Sequence, residues 1–269
     1  DTAIDFKQYG GFELFNLEDS NLFDSCLRER ENINKLLEPI FKAKAFIQRG
    51  YEFGFKNINT QAIFNPFEGQ LHTGKMMASL IERVQSKSIK ILNSVHVKAF
   101  SETGSGVEIS TAQFNFKTRK LLIATNGFAA QLIEQPVKPA RAQVLITKPI
   151  KNLHIKGVFN LDRGYYYFRN INQRILFGGG RNLDFKAEET SELGQTALVQ
   201  NHLEKLLKTV ILPDTPFEIE QRWSGIMGVG KQKKPIVKAL SNHVYCGVRL
   251  GGMGVAIGSL IGKELADLL

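Results

Sequence analysis

Four glycines near the end of the chain form its strongest chemical signal. Gly251, Gly252, Gly254 and Gly258 follow a strand-like run over residues 243–249 and precede a helix-like run. Glycines let the backbone adopt positive φ and let a ligand approach the main chain, while a following helix directs free N–H groups and its positive dipole end at that ligand. The pattern predicts a site for an electron-rich or anionic group.

The glycine run differs from a dinucleotide-binding fingerprint. That fingerprint needs a strand, a GxGxxG loop, a helix and an acidic residue about 20 residues further on. Here 11 residues follow Gly258. We therefore expect the loop to be one part of a site whose other parts lie earlier in the chain.

The composition is typical of a globular protein with a sizeable core. The chain has 269 residues, of which 43% are hydrophobic. No apolar run approaches the length of about 18 residues that a membrane-spanning helix needs, and the first residues lack the basic and apolar regions of a signal peptide. A cytoplasmic location without a membrane span is expected.

The formal charge of +9 favours an anionic ligand or an acidic partner. The densest basic cluster, Lys231, Lys233 and Lys234, is short, and the other lysines are spread along the chain. Aromatic residues and lysines do not alternate within one stretch, as a stacking platform for single-stranded nucleic acid requires. Most lysines are expected on a solvated surface, and nucleic acid is not an expected partner.

Metal and disulfide chemistry are not indicated by the sequence. Cys26 and Cys246 are far apart and belong to no CxxC motif, so both are expected to be reduced thiols in or near the core. The five histidines show neither metal-ligand spacing nor pairing with Ser and Asp. No metal site is expected.

Hydrophobic periodicity predicts helices over residues 20–46, 73–86 and 191–209. Pro39 should end or kink the first of them. Strands are predicted over residues 11–15, 89–92, 95–100, 107–111, 120–125, 141–149, 157–160, 165–168, 174–179, 217–224 and 243–249.

Two groups of these strands have distinct patterns. The continuously apolar run over residues 121–124 is typical of a parallel strand covered on both faces. The runs between residues 141 and 179 are rich in β-branched and aromatic residues between turns, which favours an antiparallel sheet. The fold class is therefore mixed, α+β or α/β, with two interleaved modules. One holds residues 69–139 and 229–269, and the other residues 6–68 and 140–228.

A series of short motifs extends over residues 60–269. In order, they are Glu68-Gly69-Gln70-Leu71, Leu122-Ile123-Ala124-Thr125-Asn126-Gly127, Pro139-Ala140-Arg141-Ala142-Gln143-Val144, Tyr165-Tyr166-Tyr167, Arg174-Ile175-Leu176-Phe177-Gly178-Gly179, Trp223-Ser224-Gly225 and Gly251-Gly252-Met253-Gly254. No single motif is specific, but their order and spacing are. Together they resemble the FAD-dependent amine and amino-acid oxidase family, which includes D-amino-acid oxidase, glycine oxidase and sarcosine oxidase.

The resemblance implies FAD as cofactor and an amine or amino acid as substrate. The implied reaction moves a hydride from a C–H bond next to nitrogen to the flavin, which oxygen or another acceptor then reoxidises. It also implies that the module of residues 69–139 and 229–269 is part of a Rossmann-like FAD-binding layer. The other module would be the antiparallel-sheet substrate domain.

By the same resemblance, two segments would contact the cofactor. Gly251, Gly252, Met253, Gly254 and Val255 would lie beside the flavin ring. The residues expected near its ribityl and diphosphate groups are Thr125, Asn126 and Gly127.

Candidate substrate residues are fewer and less specific. Tyr166 and Trp223 would line or support the substrate cavity, with a purely structural role as the alternative for each. Arg249 ends a strand next to the glycine loop, where its guanidinium group could pair with a substrate carboxylate. Arg222 is a further candidate for that pairing. No catalytic residue is assigned.

One family motif is missing from the sequence. The family binds the adenosine diphosphate half of FAD through a GxGxxG segment, and residues 1–100 contain none. We expect the chain to be the C-terminal part of a longer enzyme, with its own N-terminal segment as a partner. Two alternatives stay open: a flavoenzyme that oxidises a 2-hydroxy acid or glycerol phosphate, and a basic binding module that has lost flavin.

Overall fold

The computed structural model describes residues 4–269, in which four α-helices and 14 strands are formed. The helices are α1 (Ser20–Phe41), α2 (Thr73–Gln85), α3 (Ala197–Leu206) and α4 (Gly254–Ala266). The strands are β1 (Gly11–Leu14), β2 (Ile47–Gly50), β3 (Gln61–Asn65), β4 (Val97–Thr103), β5 (Gly106–Thr111), β6 (Asn115–Thr118), β7 (Leu121–Ile123), β8 (Lys138–Thr147), β9 (Val158–Leu161), β10 (Tyr166–Ile171), β11 (Arg174–Gly179), β12 (Ile219–Val229), β13 (Ile236–Ala239) and β14 (Val244–Val248).

The largest sheet has eight strands in the order β12-β8-β11-β10-β9-β1-β3-β2. From β8 to β9 neighbouring strands run antiparallel, whereas β1 pairs parallel with β9. The antiparallel sheet predicted between residues 141 and 179 is therefore confirmed. The mixed α/β fold class is confirmed as well.

The core of this sheet is aromatic. Phe159, Phe168 and Phe177 are fully buried on one face, and the rings of Phe159 and Phe168 stack with centroids 4.6 Å apart. Leu203 and Leu207 belong to the same buried cluster. Large aromatic side chains bury much apolar area each, so the packing of α3 on this face stabilises the sheet strongly.

Helix α3 is also joined to the sheet by buried amide groups. Gln143 on β8 donates from Nε2 to the Thr196 hydroxyl at 3.0 Å and accepts from the Thr196 N–H at 3.0 Å. Its Oε1 also accepts from Gln200 at 3.2 Å. Thr196 in turn caps α3 by accepting from the Val199 N–H. A polar network thus fixes the start of α3.

Two smaller sheets share a second core. Their strand orders are β13-β14-β7, with β14 parallel to β7, and β4-β5-β6. Val107 and Ile109 from one sheet and Val244, Cys246 and Val248 from the other lie in one buried cluster.

The chain divides into two compact units. Unit 1 holds residues 1–81, 142–184 and 194–224, and unit 2 holds residues 82–141, 185–193 and 225–269. Relative to the predicted modules, unit 1 gains residues 69–81, and unit 2 gains residues 140–141, 185–193 and 225–228. The functional assignment of the modules stays a prediction.

The first helix departs from its predicted length. Helix α1 includes Pro39 and ends at Phe41, after which Lys42 adopts the left-handed conformation. The prediction that the helix extends to residue 46 is wrong. Pro39 lies within the last turn, so the helix ends soon after it. The third predicted helix also starts later, at Ala197, and continues into a π-helical turn over Leu207–Ile211.

The strand predicted over residues 89–92 is wrong, and the prediction for residues 121–124 is wrong in part. Residues 89–92 form no strand, and Ile89 and Leu92 are exposed, so an apolar run alone did not create a sheet position. Residues 121–123 do form a parallel strand, but Leu122 is exposed, and only one face of β7 is covered within the described chain.

Three findings concern features that the sequence did not predict: a membrane span, a metal site and a disulfide bond. Between residues 4 and 269, no helix is long and apolar enough to cross a membrane. In the same range no group of three or more His, Cys, Asp and Glu side chains is arranged to hold a metal ion. Cys26 and Cys246 are both free thiols, and Cys246 is buried.

Candidate functional site

The glycine loop, residues 251–255, follows β14 and includes Gly254 and Val255, the first two residues of α4. Arg249, two residues before the loop, and Gly251, its first residue, have positive φ, at 64° and 59°. The Gly251 N–H donates to the Gly228 carbonyl at 2.9 Å. Glycine adopts such a φ without steric cost, so the sequence permits the sharp turn between strand and helix.

Several main-chain donors of the glycine loop are free. The N–H groups of Gly252, Gly254 and Val255 have no acceptor among residues 4–269, and no side chain caps the N-terminus of α4. The N–H groups of the next two residues both donate to the Met253 carbonyl. The start of this 13-residue helix therefore presents unpaired donors and a positive dipole end.

The glycines of the loop are not required by packing within the chain. A Cβ atom placed on Gly252 would meet nothing closer than Met227 Sδ at 3.9 Å, and one on Gly254 nothing closer than Leu250 at 3.8 Å. Both distances are ordinary van der Waals contacts. The missing side chains leave the free N–H groups open to a ligand, which fits a flat, electron-rich group such as a flavin ring.

Asn126 holds the glycine loop in place. Its Oδ1 accepts the N–H of Leu250 at 3.0 Å, and a Cβ on Gly228 would lie 2.6 Å from the same oxygen. Asn126 itself has φ of 46°, a conformation that asparagine tolerates better than most residues. The resemblance predicted Asn126 as a cofactor contact, but its bond to the loop was missed. An asparagine directly after a strand was the available signal.

Thr125 and Gly127 lie beside Asn126 at the start of a short 3-10 helix, Asn126–Gln131. A Cβ on Gly127 would approach the main chain of Ile226 and Met227 to 2.8 Å, so this glycine is required by packing. The structure therefore brings the two predicted cofactor segments together within unit 2. Whether they contact FAD stays a prediction.

The Arg249 side chain donates hydrogen bonds to two main-chain carbonyl groups. Its Nε donates to the Lys234 carbonyl at 2.8 Å and its Nη1 to the Pro136 carbonyl at 3.1 Å. Two of its donors therefore hold loops of unit 2 together. Its predicted pairing with a substrate carboxylate is not tested by these contacts, but it would have to use the remaining donors.

Tyr166 lies on the core face of β10 in unit 1. It is 4% exposed, and its ring stacks on His202 with centroids 5.4 Å apart. Burial raises the pKa of Tyr166 and lowers that of His202. This buried position is compatible with the purely structural alternative, and its predicted role at the substrate cavity stays a prediction.

Trp223 and Arg222 lie on β12. Trp223 is half-buried. Arg222 donates to Gln200 at 2.7 Å and to the Glu204 carboxylate at 2.5 Å. Arg222 is thus paired with an acidic side chain of α3. This pairing favours a structural role over contact with a substrate carboxylate.

The opposite face of β10 carries Tyr167, from the tyrosine motif, and Arg169, which was not a predicted site residue. Tyr167 and Arg169 alternate with the buried Tyr166 and Phe168, so they share the other face of the sheet. Burial raises the pKa of Tyr167 and lowers that of Arg169. The two-residue period of the strand was the signal that could have placed Arg169 on the face of Tyr167.

Unit 2 contains one strongly buried ion pair. Arg141 donates from Nε and Nη2 to the two carboxylate oxygens of Glu188, at 2.9 and 3.0 Å. The Glu188 side chain is 1% exposed. The Glu188 carboxylate, through its hydrogen bonds, raises the pKa of Arg141. Arg141 belongs to a motif that carries the resemblance, but nothing in the sequence identified Glu188 as its partner.

Comparison with known proteins places these features in a family. A model of the FAD dependent oxidoreductase family (DAO) matches residues 1–268. A curated relative, the "Probable oxidoreductase OrdL" of Haemophilus influenzae, is 20% identical over 229 residues, which are 79% of this chain and 50% of the relative. The chain thus spans about half the length of that relative.

Solved structures show the same fold. Glycine oxidase from Geobacillus kaustophilus has a TM-score of 0.80 at 16% identity, with 98% of this chain and 71% of that chain covered. L-proline dehydrogenase from P. horikoshii has a TM-score of 0.73 at 18% identity, with 98% and 73% covered. Because the family model matches nearly every residue, the chain belongs to the FAD dependent oxidoreductase family.

Proposed function

We propose that the protein oxidises an amine or amino acid by moving a hydride from a C–H bond next to nitrogen to FAD. The observation that carries this proposal is the glycine loop. Its three free N–H groups lie at a helix N-terminus beside glycines that packing does not require. Such a surface suits a flat ligand that gains negative charge.

FAD, when bound, supplies the hydride acceptor. The N–H groups of Gly252, Gly254 and Val255, with the positive end of α4, would stabilise negative charge that develops on the ring. Met253 would contact the same group. The role of the protein at this point is orientation and electrostatics.

Thr125, Asn126 and Gly127 are proposed to lie near the ribityl and diphosphate groups of FAD. The hydrogen bond from the Leu250 N–H to Asn126 supports this proposal, because it makes the 3-10 helix and the glycine loop one rigid element. A rigid element loses little conformational entropy when the cofactor binds.

Substrate contacts are proposed for three residues. Tyr166 and Trp223 would support the substrate cavity, and Arg249 would offer its remaining donors to a carboxylate. The proteins named glycine oxidase and L-proline dehydrogenase share the fold, and both names denote amino acids. These names support an amino acid over an amine without a carboxylate.

The test uses the full-length protein, purified without added flavin. We expect flavin absorbance in the isolated protein or after incubation with FAD, and bleaching of that absorbance under anaerobic conditions by a small amino acid or amine. A panel of 2-hydroxy acids and glycerol phosphate should leave the flavin oxidised.

Three results would change the proposal. Bleaching by a hydroxy acid or glycerol phosphate, and not by any amine, would assign the alternative flavoenzyme. Absence of flavin under both conditions would overturn the proposal. If that flavin-free protein also bound a polyanion with an affinity that falls steeply with salt, a basic binding module would replace it.

A further inference from the structure

A cleft in unit 1 is lined by none of the residues predicted for cofactor or substrate. It has a cavity volume of about 190 Å³, and it is bordered by the segment before β1, the turn before α2 and the turn between β10 and β11. Its lining includes the side chains Asp5, Lys7, Tyr9, Gln70, His72 and Arg169. Because a water molecule occupies about 30 Å³ of the liquid, the cleft has room for a ligand of a few heavy atoms.

Arg169 is the most unusual group of the cleft. Its side chain is half-buried, and burial lowers its pKa. No acceptor lies within hydrogen-bond or ion-pair distance of its guanidinium group among residues 4–269, whereas Arg141, Arg174 and Arg222 each have a carboxylate partner. A half-buried cation without a partner is unfavourable unless an anion joins it.

The other charged groups leave the cleft positive. The Asp5 carboxylate forms an ion pair with Lys75 at 2.6 Å, and this contact lowers the pKa of Asp5. His72 accepts the Lys75 N–H on Nδ1 at 3.3 Å, which caps the start of α2. Lys7 is exposed and has no ion-pair partner within the described chain. Arg169 and Lys7 are therefore the cations that a ligand would meet.

Amide groups add polar contacts at the same place. Gln70 donates from Nε2 to the Asn170 carbonyl at 3.0 Å, which fixes the side chain between the two turns. Its Oε1 is buried without a partner. The cleft therefore combines unpaired positive charge with a polar wall, which is the character of a site for a small polar ligand and not of a packing defect.

We propose that this cleft binds a small organic carboxylate, with the Arg169 guanidinium group as its main partner and Lys7 as a second cation. The planar guanidinium group matches a carboxylate through two parallel hydrogen bonds. The inference goes beyond the proposed oxidation, because it concerns a site in unit 1 that holds no predicted cofactor residue. Binding at this site needs no turnover.

The experiment measures binding of acetate to the full protein by isothermal titration calorimetry, with acetamide as a neutral ligand of the same shape. Acetate should bind and acetamide should not. Arg169→Gln should weaken acetate binding about tenfold or more, the loss expected of a bidentate charged partner. Lys7→Gln should weaken it less. Lys156→Gln, which removes one exposed lysine outside the cleft, should leave the affinity unchanged.

Unfolding curves of Arg169→Gln show whether that variant folds, and if it does not, Lys7→Gln carries the test because Lys7 is exposed. Equal affinity for acetate and acetamide, or equal acetate affinity in wild type and both cleft variants, would overturn the inference. Tighter binding of inorganic phosphate than of acetate, lost in Arg169→Gln, would overturn the assignment to a carboxylate. If amines bleach the flavin while Arg169→Gln binds acetate as tightly as the wild type does, the proposed function stands and this inference alone fails.

Discussion

The side chain of Asn126 accepts the main-chain N–H of Leu250 at 3.0 Å, across 124 residues of sequence. This bond joins the segment after β7 to the loop after β14. Those two strands are neighbours in a parallel pair, so their C-terminal ends lie at the same edge of the sheet. Open α/β sheets bind ligands at that edge.

Asn126→Ala removes this acceptor. We expect a loss of about 1 kcal/mol in the free energy of unfolding and a weaker affinity for FAD, because the glycine loop is no longer held. Urea unfolding and FAD titration measure the two effects. Asn152→Ala is the matched control, since Asn152 also has positive φ but lies exposed in a turn of unit 1. Equal FAD affinity in both variants would show that the bond does not position the loop.

Gly254→Val tests the cofactor role of the glycine loop. Because nothing in the chain lies close to a Cβ at this position, the variant should fold normally while its branched side chain blocks approach to the free N–H groups. Retained flavin per protein, read from the absorbance ratio, should fall to near zero. Gly262→Val, in the same helix and also in open space, should keep its flavin. Normal flavin content in Gly254→Val would reduce the loop to a turn.

Gly179→Ala should destabilise unit 1. Gly179 has φ of 128°, and a Cβ there would lie 2.0 Å from the Tyr165 carbonyl oxygen. Strain and displacement together should lower the free energy of unfolding by about 3 kcal/mol. Gly164 also has positive φ, at 77°, but a Cβ there would meet no atom within 4 Å. Gly164→Ala should therefore lower the free energy of unfolding by about 1 kcal/mol. Thermal unfolding compares the two, and similar losses would mean that the strand relaxes around the methyl group.

Because Arg141 and Glu188 form a buried ion pair, removal of the Glu188 carboxylate should strongly lower the free energy of unfolding. Glu188→Ala leaves a buried guanidinium group without its partner and should cost about 3–5 kcal/mol. The neighbouring pair of Lys138 and Glu189 is exposed, and Glu189→Ala should change stability by less than about 1 kcal/mol. Denaturant unfolding of both variants provides the measurement. A small loss in Glu188→Ala would mean that water reaches Arg141.

Glu68 predicts a dependence of stability on pH. Burial raises the pKa of Glu68 above its ordinary value of 4.5, so the folded protein holds this proton more tightly than the unfolded chain. The contribution of Glu68 is therefore complete below pH 4.5 and is lost as the pH rises through the folded pKa. Glu68→Gln should flatten this part of the stability profile, while Glu52→Gln, at an exposed position, should not. Parallel profiles for wild type and Glu68→Gln would contradict the assignment.

Periodicity predicted the elements whose partners are close in sequence. Buried and half-buried residues alternate over residues 166–169 of β10 and 174–177 of β11, and the turn lies at residues 172–173, so the pairing of this hairpin follows from local pattern. Four strands that the sequence did not reveal, β2, β3, β6 and β13, are short, between four and five residues. Their neighbours supply the hydrogen bonds that define them, which a pattern within so few residues cannot indicate.

The site was predictable in type but not in detail. Gly251, Gly252 and Gly254 identified the loop, since only glycine combines freedom in φ with an open surface. The groups that hold the loop lie far away in sequence: Asn126 and Gly228 contact it from other elements. Arg249 shows the reverse case. Its place beside the loop predicted a ligand contact, yet two of its donors bind main-chain carbonyls of Pro136 and Lys234.

The amide network of Gln143 has a consequence for how α3 sits on its sheet. Apolar contacts define the position of the helix along the sheet less sharply than hydrogen bonds do, because Leu203 and Leu207 lie about one turn apart on its buried side. Gln143 allows a single registry, since its amide must meet both the Thr196 hydroxyl and the Thr196 N–H. The polar contacts of Gln143 therefore fix where α3 lies along β8, while the apolar contacts fix how closely it packs.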